Sequence, residues 1–295
     1  RVIEEFLMSE AIPYKVVGGL KFYDRKEIKD IIAYLRVLYN PADFMSIRRI
    51  INVPKRGIGK TSIDNIQEYA TNNNMSGWDV IKNIENIPGL TRSTNAIKEF
   101  ANTIITLMKE IDGEGAIPVS ELIKKVINDT GYLTELELEY TVENQTRIEN
   151  LMEFVSVAVE FEKESEQSAL SDFLETISLV SDIDETDESE DSVTLMTLHS
   201  AKGLEFPVVF ITGMEDYIFP SRRGLQEPGQ LEEERRLFYV ALTRAEEHCF
   251  LSFARSRFRY GKTEFSNPSR FLKDIDPRYL NMPDAGVPTR REPAE

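Results

Sequence analysis

Four short stretches of this chain carry residue types and spacings suited to chemistry. They are NVPKRGIGKTSI (52–63), TLHSAKGLEFPVV (197–209), EEERRLFYVALTRAEE (232–247) and ARSRFRYGKTEF (254–265). The first ends in Gly-Lys-Thr, as a nucleotide-binding loop does, but such a loop needs G-x-x-x-x-G-K-[ST]. Its first glycine position is held by Pro54, which has no N–H for a phosphate and cannot adopt a left-handed backbone. What remains is Gly57-Ile58-Gly59 running into Lys60, Thr61 and a helix that opens at Thr61-Ser62. Such a turn presents successive backbone N–H groups at a helix N-terminus, which favours a phosphate oxygen. With Lys55, Arg56 and Lys60 around it, it suits a grip on the backbone of duplex DNA that reads no sequence. The plainer alternative is an inter-helix turn with solvated lysines.

The second stretch gathers Thr197, His199, Lys202, Gly203 and Glu205 on one strand-exit loop. Polar side chains at that edge of an α/β sheet can meet a ligand, and Glu205 is able to accept from a ribose hydroxyl. Alternatively, Glu205 is a helix-start carboxylate and His199 a satisfied loop histidine. The third stretch reads as a helix bearing Arg235, Arg236 and Arg244. The planar guanidinium suits a γ-phosphate and stabilises charge in phosphoryl transfer, although a surface helix of ion pairs would look the same. In the fourth, Arg255, Arg257 and Arg259 alternate with Ser256, Phe258 and Tyr260 before Gly261. That is a hairpin with one basic face and Tyr260 at its tip, able to stack on a base, or else an edge strand protected by its charges.

The elements that must position these residues follow two grammars. From about Glu27 to Ser181 the pattern is helical, beginning with EIKDIIAYLRVLYNP, where Ile28, Ile31, Ile32, Leu35 and Leu38 share one face up to Asn40-Pro41. After the acidic run SDIDETDESED (181–191), VTLMTL and PVVFITG are short β-branched runs of the kind expected of buried parallel strands. A helix and the strand HCFLSF follow, making an α/β layer. The N-terminal RVIEEFLMSEAIPYKVVGG reads as helix, proline turn and strand. It has no α/β neighbour nearby in sequence, so pairing with the C-terminal layer makes the helical part an insertion in a discontinuous α/β domain.

The composition sets limits. At 295 residues there is room for two domains, and 41% hydrophobic with 29% charged residues is ordinary for a globular protein. No apolar run is long enough to span a membrane. The single cysteine, Cys249, excludes an internal disulfide framework and fits a reducing cytosol. His199 and His248 are far apart, with no zinc pattern. The net charge of −16 argues at face value against nucleic acid, but the acid is clustered and the turn and hairpin are locally basic, so the charge balance does not decide the matter. The chain begins without Met, as though within a helix, and reads as a piece of a longer protein.

GGLKFYDRKEIKDIIAYLR, MTLHSAKGLEFPVVFITGME and EEERRLFYVALTRAEE together resemble the superfamily 1 DNA helicases of the UvrD/PcrA type, from Arg1 to about Leu280. The resemblance implies a RecA-like α/β domain, 2A, interrupted by a large all-helical insertion domain, 2B. Residues 1–20 would be the first segment of 2A, 21–190 the insertion, 191–280 the second segment and 281–295 a flexible tail. The Walker motifs and the first motor domain are not in this stretch, so it would hold half of an ATP site. ATP and Mg2+ are implied for the intact enzyme, and neither is expected to be held by this piece alone.

By motif, the resemblance assigns Gly203, Glu205 and Arg244 to ATP, with Glu205 on the sugar and Arg244 the catalytic residue at the γ-phosphate. Thr197 and His199 would touch single-stranded DNA. Gly57, Ile58, Gly59, Lys60 and Thr61 would grip the duplex ahead of the fork, and Tyr260 would tip the strand-separating pin. The implied partners are single-stranded and duplex DNA at 3′-tailed junctions, the 1A/1B half of the same protein, and repair or replication proteins, in the cytoplasm and without a membrane. Tyr217 stands where a smaller residue is expected. Two other readings fit parts of the sequence. One is a non-catalytic module for DNA junctions or protein partners. The other, a RecB- or AddA-like helicase–nuclease, is disfavoured because no Asp/Glu/Lys nuclease pattern follows the third stretch.

Overall fold

In the computed structural model, the residues described are 1–87, 93–111, 116–164, 169–183, 191–227, 229–259 and 262–281. They form two compact units, one built on Arg1–Leu195 with Phe258–Lys262 and the other on Met196–Arg257 and the chain from Thr263 onward. Most of the acidic run (184–190), the tail after residue 281 and Tyr260 lie outside the described residues.

The first unit opens with α1 (Val2–Ser9) and β1 (Tyr14–Val17), the helix and strand legible on either side of Pro13. Ten elements follow: α2 (Lys26–Tyr39), α3 (Phe44–Ile50), α4 (Lys60–Asn72), α5 (Gly77–Lys82), α6 (Thr94–Met108), α7 (Val119–Asp129), α8 (Tyr132–Glu137), α9 (Val142–Glu164), α10 (Leu170–Ile183) and β2 (Val193–Met196). β1 pairs with β2, and the Val193 N–H donates to the Pro13 carbonyl at 2.8 Å.

The core stripes repeat at helical spacing, as in Val119, Leu122, Ile123, Val126 and Ile127 on α7 and Ile97, Phe100, Ala101, Ile104 and Leu107 on α6. α2 exceeds its sequence reading. Besides the expected face, Ala33, Tyr34 and Val37 are buried, as are Glu27 and Asp30, so it is buried almost all round. Such a helix belongs at the centre of a bundle, and α2 packs against α3, α6, α7, α9 and α10.

In the second unit, β3 (Phe206–Ile211) lies parallel to β4 (Ala245–Leu251). The crossover between them carries α11 (Arg222–Gln226) and α12 (Gln230–Leu242), as a parallel pair requires. Phe219, Phe238 and Phe271 form the core beside Ile211 and Met214, with Phe238 stacked on Phe271 at 5.7 Å. β5 (Ser256–Arg259) and β6 (Lys262–Phe265) pair with each other as the expected hairpin.

The strands are parallel as read, but they are not buried on both faces. Val209 and Ile211 turn toward the core, whereas Phe210 and Phe250 stack 4.7 Å apart on the other face at 69% and 51% exposure. Period-two alternation sends successive residues to opposite faces, and among the described residues no element covers the second one.

Candidate functional site

In the first unit, the Asn52–Ile63 turn is built around two anchors. The Asn52 side-chain oxygen accepts from the N–H groups of Arg56 at 2.8 Å and Ile58 at 3.1 Å, curling the chain. Ile58 is 1% exposed and part of the helical core, so it pulls the middle of the turn inward and leaves both flanking glycines exposed. Gly57 has φ +74°, a left-handed backbone that favours glycine. A Cβ at Gly57 or Gly59 would meet nothing within 4 Å, so the backbone here is open to a large ligand. Gly59 is the N-cap of α4 and has no side-chain cap. The Ser62 and Ile63 N–H groups donate to the Gly59 carbonyl, which leaves those of Lys60 and Thr61 without an intrahelical partner. Lys60 and Thr61 are exposed beside them, as is Lys55.

Arg56 departs from the sequence reading, which set it among the cations around the turn. Its guanidinium donates to the carbonyls of Ile50, Ile51, Pro54 and Thr130 at 3.1–3.3 Å and to the Tyr34 hydroxyl at 2.9 Å. It also lies 5.4 Å from the centre of the Phe100 ring. Burial pushes the Tyr34 phenol up to about 12, against the pull of Arg56, so at neutral pH it stays a hydroxyl, donating to Val53 at 2.6 Å. Arg56 therefore ties the turn to α2 and α7, and the cations at the surface are Lys55 and Lys60.

In the second unit, Thr197 to Glu205 form a compact turn between β2 and β3. The Thr197 hydroxyl accepts from the Ser200 N–H at 3.2 Å and lies 2.9 Å from the Ser200 hydroxyl. Ala201 and Lys202 donate to the carbonyls of Thr197 and His199. His199, Lys202 and Glu205 are exposed, and Gly203, at φ +86°, has open space where a Cβ would stand.

Arg244 is not on a helix. It occupies the joint between the C-cap of α12, Thr243, and the first residue of β4. The guanidinium donates to the carbonyls of Leu204 at 2.8 Å and Val240 at 3.0 Å and to the Thr243 hydroxyl at 3.1 Å. Its own carbonyl accepts from the Phe206 N–H at 2.9 Å. Arg244 thus bonds to the backbone of Leu204 and Phe206, the two sequence neighbours of Glu205, at the entrances of two paired strands. Arg235 instead pairs with Glu232 and Asp274 and lies over the Phe271 ring, and Arg236 pairs with Glu233, as in the surface alternative. Among the described residues no group of three or more His, Cys, Asp or Glu is arranged to hold a metal ion, and no helix is long and apolar enough to cross a membrane.

The sequence reading missed Glu215. This carboxylate is fully buried. It accepts from Arg257 Nε at 2.6 Å and Nη2 at 2.7 Å, and from the Ala254 N–H at 2.7 Å. Burial alone would raise its pKa, but the Arg257 guanidinium and the Ala254 N–H outweigh that and hold it below the usual carboxylate range. The available signal was an acid inside the apolar stretch ITGMEDYIF, because a charge in such a setting requires a partner. With Arg257 turned to Glu215, the hairpin does not carry the uniformly basic face expected of it.

The chain matches the UvrD-like helicase C-terminal domain over residues 1–256. It is 47% identical over 279 residues to the ATP-dependent DNA helicase PcrA of Staphylococcus epidermidis (strain ATCC 12228 / FDA PCI 1200), covering 93% of this chain and 38% of that relative. To the ATP-dependent DNA helicase PcrA of Staphylococcus aureus (strain MRSA252) it is 45% identical over 290 residues, covering 97% of this chain and 39% of the relative. The chain therefore spans about two-fifths of the length of these curated relatives.

Proposed function

The chain belongs to the UvrD-like helicase C-terminal domain family, and on that premise we propose that it is the C-terminal part of an ATP-driven DNA helicase that moves 3′ to 5′ along single strands and opens duplex in repair or replication. In this reading it is a cytoplasmic protein whose second unit faces a first motor half, with the helical unit as the insertion domain. The observation that carries the proposal is the bonding of Arg244 to the backbone on both sides of Glu205, at the entrances of β3 and β4.

ATP supplies the phosphoanhydride whose cleavage drives the motor, and the residues present fit half of its site. Arg244 is a guanidinium oriented by two carbonyls and a hydroxyl, and such a preorganised cation favours developing phosphate charge. Glu205 is an exposed carboxylate able to accept from a ribose hydroxyl, and Gly203 leaves the approach open. His199, and Thr197 beyond its role in the turn, would meet single-stranded DNA. The Gly57–Thr61 turn would hold duplex phosphates through open N–H groups, and Tyr260 would tip the pin. Mg2+ would arrive with the nucleotide.

The test is Arg244→Ala in a polypeptide joining this chain to its first motor half. DNA-stimulated ATP turnover should fall by about 10³-fold or more while DNA affinity stays within about threefold. Wild-type turnover in the variant would overturn the assignment. A non-catalytic DNA clamp is the second reading, favoured by the open turn of Gly57 and Gly59, which is anchored entirely within the helical unit.

A further inference from the structure

Both legs of the β5–β6 hairpin are fastened to one tripeptide, Met214-Glu215-Asp216. On the entering leg, Glu215 holds the Ala254 N–H and the Arg257 guanidinium. On the leaving leg, the Asp216 N–H donates to the Asn267 carbonyl at 3.1 Å and the Ser269 N–H donates to the Met214 carbonyl at 2.7 Å. The Asp216 carboxylate accepts from Arg270 through its N–H and guanidinium at 3.1–3.3 Å. The tripeptide sits between Gly213 at φ +76° and Tyr217 at φ +74°, so the chain bends sharply on either side of it.

The same tripeptide closely follows β3. The Met214 N–H donates to Ser252, and the Ser252 N–H to Ile211, both at 3.0 Å, carrying the strand pairing past the ends of β3 and β4. β3 begins directly after Glu205 and β4 directly after Arg244. Two hydrogen-bonded strands of about 20 Å thus run from the residues read as nucleotide-facing to the feet of the hairpin.

We propose that Glu215 is a positioning residue for the β5–β6 hairpin, fixing its entering leg to the far ends of β3 and β4 so that duplex separation depends on this carboxylate while ATP turnover does not. The proposal rests on the helicase reading for its functional consequence and on the hydrogen bonds alone for its structural one. A buried carboxylate bonded this way cannot let go of the hairpin without leaving an unpaired charge, which is strongly unfavourable, so the leg is held in one place.

The experiment has two arms. In the chain of 295 residues, amide hydrogen exchange is compared between wild type and Glu215→Gln. Exchange should rise over 254–265 and stay unchanged in β3, β4 and α12. Uniform loosening, or none, overturns the proposal. In a polypeptide carrying the first motor half, kcat and KM for DNA-stimulated ATP turnover are measured beside unwinding of a 3′-tailed duplex. Glu215→Gln should lower unwinding by about tenfold or more with kcat and KM within about twofold, and Arg257→Lys, which keeps a cation against Glu215, should retain most of the unwinding. Equal loss of turnover and unwinding in folded protein, or unchanged unwinding, overturns it. If Glu215→Gln does not fold, Asp216→Asn on the other leg, a less buried carboxylate, carries the same expectation. Failure of the wild-type polypeptide to turn over ATP would instead defeat the helicase reading, with the exchange arm still deciding the role of Glu215.

Discussion

The Arg244 guanidinium, held by the carbonyls of Leu204 and Val240, is the residue on which the ATP reading turns. Glu205 could not be told from a helix-start carboxylate on its own stretch, and the structure places it exposed, directly before β3. Arg244 was hard to separate from Arg235 and Arg236, since all three lie in one charged stretch. Only the fold shows that two are occupied by surface ion pairs while the third orders the entrance of β4. Tyr217 was legible as an oddity, and its φ of +74° gives the reason, because a bulky side chain in the left-handed region costs about 1–2 kcal/mol. Tyr217→Gly should therefore raise stability by about 0.5–1 kcal/mol after the greater chain entropy of glycine is counted, read as a higher midpoint in thermal denaturation. An unchanged or lower midpoint would mean the loop relaxes around tyrosine without strain.

At the scale of elements, the Gly-Ile-Gly turn was read correctly in outline and wrongly in one of its cations. A local pattern locates glycines and a helix start, but whether Arg56 faces outward depends on Tyr34, Phe100 and Thr130, which are distant in sequence. Two substitutions separate the anchor from the surface. Ile58→Ala should cost about 2–5 kcal/mol in denaturant unfolding, since Ile58 is 1% exposed in the core. Gly59→Ala should cost no more than about 1 kcal/mol, because its Cβ meets nothing, yet it places a methyl group where a phosphate would approach. Equal costs would show that the turn is not anchored through Ile58.

The hairpin feet have a pH signature. Glu215 and Asp216 both titrate below the usual carboxylate range when folded. Their contribution is present above the unfolded values of about 4 and is lost as pH falls through the depressed folded values. Limited proteolysis should therefore begin to cut within 254–270 as pH drops below about 4, before the first unit loses its helical signal. Simultaneous loss of both would contradict this.

For the whole molecule, the two grammars of the sequence, one helical and one α/β, correspond to the helical content and the parallel strand pair of the structure. The exposed sheet face was not legible. A run such as PVVFITG reads the same whether one face or two are covered, and what covers a face is not written within the strand. Net charge was equally uninformative about DNA, because −16 over the chain says nothing of the few open N–H groups at the start of α4. The measurement that most directly tests the account is low-salt binding of this chain to a 3′-tailed duplex, a matched single strand and a blunt duplex, with a Gly59→Ala/Lys60→Ala variant of checked fold alongside. The account predicts preference for the duplex-containing DNAs, affinity that falls steeply as salt rises, and loss of that preference in the variant. Equal affinity for all three DNAs, or a folded variant that binds as wild type does, would contradict it.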